Sequence, residues 1–217
     1  SAFKIPGADK VLPTNTADTS ATAFDAAAVK LQIQNLAATS EATTQSYNEA
    51  IVALANAVST KEQAAELKAK QEALTAKATD AEKNTIAGPV AQDAASLLET
   101  AAQSKDLTAN LKGLSKTQKA NMANAGWNVL LANVGMGAVV AESSQITKTI
   151  AQNKKAALGI VGEVKTLKSV ASNSATQAKQ MAQVINSVRK ILSAAGVKVK
   201  EPKAATEKAV AVDPWAE

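Results

Sequence analysis

Residues 160–195 read IVGEVKTLKSVASNSATQAKQMAQVINSVRKILSAA. Ile160, Val164, Leu167, Ala171, Ser174, Ala178, Met181, Ile185, Val188, Leu192 and Ala195 alternate here by four and three for five heptads. A repeat of about 3.5 residues aligns side chains along one stripe of an α-helix, whereas a strand repeats every two. The spacing predicts a long amphipathic helix with coiled-coil-like packing. Its seam is expected at the large members of the series, Ile160, Val164, Leu167, Met181, Ile185, Val188 and Leu192. The small residues between Leu167 and Met181 imply close approach by a partner helix.

Composition carries the helical reading to the rest of the chain. Hydrophobic residues make up 46% of the sequence, yet aromatics only 2%, and alanine is the commonest residue. Alanine has the best helix propensity, while pleated sheets draw on aromatic and β-branched residues. The expected fold is all-α, an elongated bundle of long Ala-rich amphipathic helices flanked by extended N- and C-terminal arms.

A helix expected over 115–152 opens with Ser115 and Gln118 at capping-box spacing. Before it, helices are expected over 89–112 and 60–87. The latter opens on Ser59 and Glu62 at the same spacing and ends at Gly88-Pro89, because proline lacks the helical N–H. The first helix is expected over 20–58, capped near Asp18–Ser20, with Ile33, Leu36, Ser40, Thr43, Tyr47, Ala50, Leu54 and Ala57 at spacings of three and four. With a last helix over 155–195, these form one bundle, residues 20–196, between arms at 1–19 and 197–217. Asn153, Gly159 and Gly162 suit either a turn between the last two helices or a glycine-lined contact within one very long helix.

From Ala120 to Ala141 the chain carries no charge for 22 residues, long enough to cross a bilayer. Asn121, Asn124 and Asn128 share one helical face, and Trp127, Leu130, Leu131, Val134, Met136, Val139 and Val140 cover much of the remainder. A helix so largely apolar belongs in the centre of a bundle or against a membrane or partner subunit. The central position is the principal expectation, and membrane or partner contact through those seven residues is the alternative.

The absence of histidine and cysteine removes disulfides, thiol chemistry, Cys/His metal sites and the base of the usual nucleophilic triads. Glu62 and Glu66 lie one turn apart, but with Lys61, Lys68 and Lys70 beside them they read as surface ion pairs. The glycine spacings match neither a phosphate loop nor a dinucleotide fingerprint. No catalytic, cofactor-binding or metal-ligating residue is therefore expected, and a non-enzymatic role is.

Charge is distributed unevenly. Residues 1–100 carry eight lysines against twelve carboxylates, and residues 148–200 carry ten Lys or Arg against Glu163 alone. Such opposition suits pairing of two halves, within one copy or between copies. Nucleic acid is not an expected partner, because no aromatic residue accompanies the basic ones for base stacking. The arms carry apolar anchors, Phe3, Ile5, Val11 and Leu12 at one end and Val210, Val212 and Trp215 at the other. A purely solvating tail is poorer in such residues. Both arms are expected to dock, at least one of them on a neighbouring copy. The functional expectation is a structural or scaffolding protein that self-assembles into a homo-oligomer or filament-like array through its seam, opposed charges and arms. The alternative is a bundle that associates with a membrane or anionic lipid, even forming pores. Export to the periplasm or outside the cell is expected from the absent cysteine and scarce aromatics.

Overall fold

A computed structural model describes residues 2–3, 23–77 and 83–217, with side chains from 23–77 and 88–217. Six α-helices appear in chain order: α1 (Ala26–Val58), α2 (Lys61–Lys77), α3 (Lys83–Gln103), α4 (Leu107–Asn110), α5 (Lys116–Ala151) and α6 (Val161–Ala194). A 3-10 turn, Ala156–Ile160, precedes α6, and two short strands, β1 (Ala2–Phe3) and β2 (Ala209–Val210), pair antiparallel. Of the described residues 78% are helical, and the fold is all-α.

Local chemistry sets the helix starts. Asp25 caps α1 by accepting from the amides of Ala27 and Ala28, so the helix begins at Ala26 and not at residue 20. The expected caps Asp18–Ser20 lie outside the described residues. The capping box of α2 is displaced by one residue from the Ser59/Glu62 reading. Thr60 and Gln63 exchange the reciprocal bonds, each 3.1 Å, while the Ser59 hydroxyl donates back to the Ala55 carbonyl. At α5 the box is the expected one, with Ser115 and Gln118 bonded to each other's amides at 2.9 and 3.1 Å.

Gly88-Pro89 does not end a helix, because α3 runs through it. Burial in the next two turns offsets the lost hydrogen bond, since Val90, Ala94 and Leu98 are fully buried on the face after the exposed proline. The helix expected over 89–112 is instead interrupted at Ser104 and resumes as the single turn α4. Helices α5 and α6 are separate, with the break at Asn153, whose side chain donates to the Thr149 carbonyl at 2.8 Å.

Four helices, α1, α3, α5 and α6, enclose the core, and α2 lies outside against α3 with Leu67 as its buried contact. Lys30 faces Glu163, and the same number of residues further along both helices Thr44 faces Gln177, so α1 and α6 run parallel. Helix α5 turns back antiparallel to α6. Gly126 makes their close approach: a Cβ there would lie 2.7 Å from Leu192 Cδ1 and 3.1 Å from Val199.

The predicted seam lies inside this core. Ile160, Leu167, Met181, Val188 and Leu192 are buried and Val164 half-buried against helices of the same chain, and Ile185 is half-buried. Val184, Ile191 and Ser174 are buried beside them, which widens the stripe to the broader face that a helix with several neighbours needs. The seam is thus largely occupied by helices of the same chain. At its end α6 closes in a Schellman turn: Gly196 adopts φ +72, its amide bonds the Ser193 carbonyl, and the Val197 amide bonds the Leu192 carbonyl at 2.9 Å. That reversal aims the C-terminal segment back along α5.

Candidate docking groove

The uncharged helix and the C-terminal arm, read separately in the sequence, form one site. Residues 208–213 lie extended along the first turns of α5, antiparallel to it, and are held by side chains that bond their backbone. The Asn128 amide accepts from the Val210 N–H at 2.9 Å and donates to the Val210 carbonyl at 2.8 Å. Two turns earlier Asn121 makes the same pair with Asp213, at 2.9 and 2.8 Å. Between them Asn124 reaches the Ala211 carbonyl at 3.4 Å, and the Trp127 indole donates to the Lys208 carbonyl at 2.8 Å.

The match comes from two rises. Seven residues of α-helix advance about 10.5 Å, and three residues of extended chain advance about 10 Å. Asparagines at i and i+7 therefore match strand residues three apart in rise. Because successive residues of a strand face opposite edges, the chain turns about its axis beyond Val210 to bring Asp213 to the same helix. A carboxamide presents one acceptor and a donor pair, so each Asn serves both the N–H and the C=O of one residue, as a neighbouring strand would. The opposite edge of the arm is covered by β1, with Ala2 opposite Val210 and Phe3 opposite Ala209.

Apolar contacts fill the space beneath. Ala209 is fully buried against Leu131, with Trp127 packed beside them, and Val212 and Trp215 rest half-buried on the main core. Asn56 at the end of α1 bonds the Ala216 carbonyl at 3.2 Å, and Arg189 of α6 pairs with Glu201 at the arm's start, holding that carboxyl below its ordinary value. The arm's predicted anchors Val210, Val212 and Trp215 thus all engage the bundle of their own chain. The physical reason is reach: the Schellman turn delivers the segment to a groove on the same chain. Ile5, Val11 and Leu12 of the other arm, and the side chain of Phe3, lie outside the described residues.

The residues expected to meet a membrane or partner are mostly enclosed. Leu130, Leu131, Met136 and Val139 are buried, Trp127 and Val140 half-buried, and Val134 alone of the seven is exposed, at 38%. Helix α5 is long and apolar enough to cross a bilayer, with more than half of that stretch covered by protein.

Comparison with protein-family models, curated proteins and solved structures finds no match to this chain. What the groove can do is carried by its geometry. It binds a backbone and asks little of the side chains it holds beyond a small residue at Ala209 and room for apolar ones at Val212 and Trp215. Among the described residues no group of three metal-ligating side chains converges.

The Asn face was visible in the sequence; the segment it holds was not. An amide face within an uncharged helix, in a chain that ends in an apolar, proline-bearing segment, is the signal that could have joined the two.

Proposed function

We propose that this protein is a non-catalytic assembly module whose joint is the asparagine-lined groove, occupied in the assembled state by the C-terminal segment of another copy. The bidentate bonds of Asn121 and Asn128 to backbone carry this reading. Every contact made by residues 208–216 in cis is available unchanged to the same segment of a second chain, so exchange costs little beyond association itself. Between the glycine turn and the segment, Val197 and Val199 pack on the core while residues 198, 200 and 201 are exposed, so the exchange pivots beyond Val199. Assembly through the heptad seam is not part of the proposal, because that stripe is buried within one chain.

The test exploits the absence of cysteine. In Asn124→Cys/Ala211→Cys, a short bismaleimide links groove to arm. Denaturing electrophoresis then separates links within a chain from links between chains. Dimer and higher bands that grow with protein concentration are expected. Linked monomer alone at every concentration overturns the proposal.

A second reading rests on α5, whose apolar length equals a bilayer span. In that reading the bundle opens and α5 enters lipid. Flotation with anionic liposomes tests this reading: binding lost when arm and groove are crosslinked within one chain favours insertion, and absent binding, or binding that survives the crosslink, overturns it.

A further inference from the structure

We infer that a cavity between α1, α3 and α6, remote from the docking groove, binds a small neutral polyhydroxylated ligand of mono- or disaccharide size. The cavity measures about 380 Å³ and is bounded by the middle of all three helices. That volume is at the lower end for ligand pockets, which run from about 300 to 1,000 Å³.

Two nearly buried side chains make it a built site. Tyr47 is 8% exposed and Asn48 7%, and both line the cavity. Neither the hydroxyl nor the carboxamide bonds any of the described residues. Their polar atoms open onto the cavity, where water meets them in the free protein and a ligand hydroxyl can take its place. Burial, with the Glu99 carboxylate second, pushes the Tyr47 hydroxyl up, so it stays protonated and able to donate. Gln177 is held as well, its carboxamide meeting the Thr44 hydroxyl at 2.7 Å.

The chemistry of the lining selects the class. Gln92, Gln177 and Gln180 add carboxamides around the rim, and among the described lining residues Glu99 is charged and none is lysine or arginine. Anion recognition relies on cationic donors, and the described lining offers a carboxylate instead. A sugar hydroxyl both donates and accepts, and a carboxamide offers both complements. Ala95 and Met181 supply an apolar floor against which the C–H face of such a ligand can rest.

The probes are D-glucose, trehalose and glycerol, with inorganic phosphate as the charged control, each added to the full chain. Saturation-transfer NMR detects contact, and calorimetric titration gives the affinity. Transfer to at least one of the three polyols, and none involving phosphate, is expected. Tyr47→Phe removes one hydroxyl and keeps the ring. Gln92→Ala changes an exposed position, so its fold is safe even if the first variant is strained. Each should weaken binding about five- to tenfold, the worth of one hydrogen bond. The inference is overturned if no polyol binds, if phosphate displaces the polyol, or if both variants bind as tightly as the parent chain. In those cases the cavity is a hydrated cleft.

Discussion

The two ends of α5 treat buried polarity in opposite ways. Near its start, Asn121 and Asn128 bond the backbone of the arm through both atoms of their carboxamides. Near its end, Glu142 and Ser143 are buried at 4% and 1% exposure, and Glu142 Oε2 and Ser143 Oγ have no hydrogen-bond partner among the described residues. Helix α1, on which α5 packs most extensively, adds the hydroxyls of Thr43 and Ser46, also without a partner among the described residues. The two ends belong to one helix and differ in their partners. An extended backbone offers amide groups at a spacing the helix can meet. Another helix has already used its own amides internally and offers none. Polar residues are thus a docking device at one end and a cost at the other.

The largest effect should come from breaking the paired end. Asn128→Leu conserves approximate volume but strips the Val210 N–H and C=O of their partner, and should cost about 2–4 kcal/mol. Urea unfolding reads the loss, and hydrogen exchange should rise across residues 208–216 before it rises in α6. If the arm stays protected, the amide pair is not what holds it.

At the unpaired end the sign should reverse. Burial raises the Glu142 pKa above its ordinary value of 4.5. The folded state therefore holds the proton more tightly than the unfolded chain. No penalty exists below 4.5, where both states are protonated, and stability falls as pH rises from there through the folded pKa. Glu142→Gln should stabilise the protein at pH 7 by about 1 kcal/mol or more, the scale of an uncompensated buried group. The gain should vanish near pH 4. An equal gain at both values would show that ionisation is not the cause.

Thr43→Val removes an unpaired hydroxyl at nearly constant shape, and should be neutral or stabilising by less than about 1 kcal/mol. Thermal unfolding checks it, and a clear destabilisation would reveal a partner for that hydroxyl. Smallest of all, Gly135→Ala should gain about 0.5 kcal/mol from helix propensity. Its new Cβ would meet Thr43 at 3.5 Å, an ordinary contact, whereas Gly126→Ala is driven into Leu192. A loss at Gly135 equal to that at Gly126 would mean that α1 and α5 pack as tightly as α5 and α6.

Sequence alone determined the helical class, because its signals are local. The alternation through residues 160–195, the Ser115/Gln118 box and the stripe from Ile33 to Leu54 each depend on neighbours within a turn or two. It also placed Tyr47 correctly among the buried residues, without showing that its hydroxyl faces a cavity, since that depends on α3 and α6. Local rules failed where burial outweighs them. Pro89 sits inside α3 because Val90, Ala94 and Leu98 bury enough apolar surface to offset one lost bond. The docking groove lay wholly beyond local rules. Asn128 and Val210 are separated by 82 residues, and their pairing depends on the Gly196 turn, on α5 folding back against α6, and on the near equality of two helical turns with three strand residues. Each half of that match was written in the chain, but only tertiary structure set one against the other.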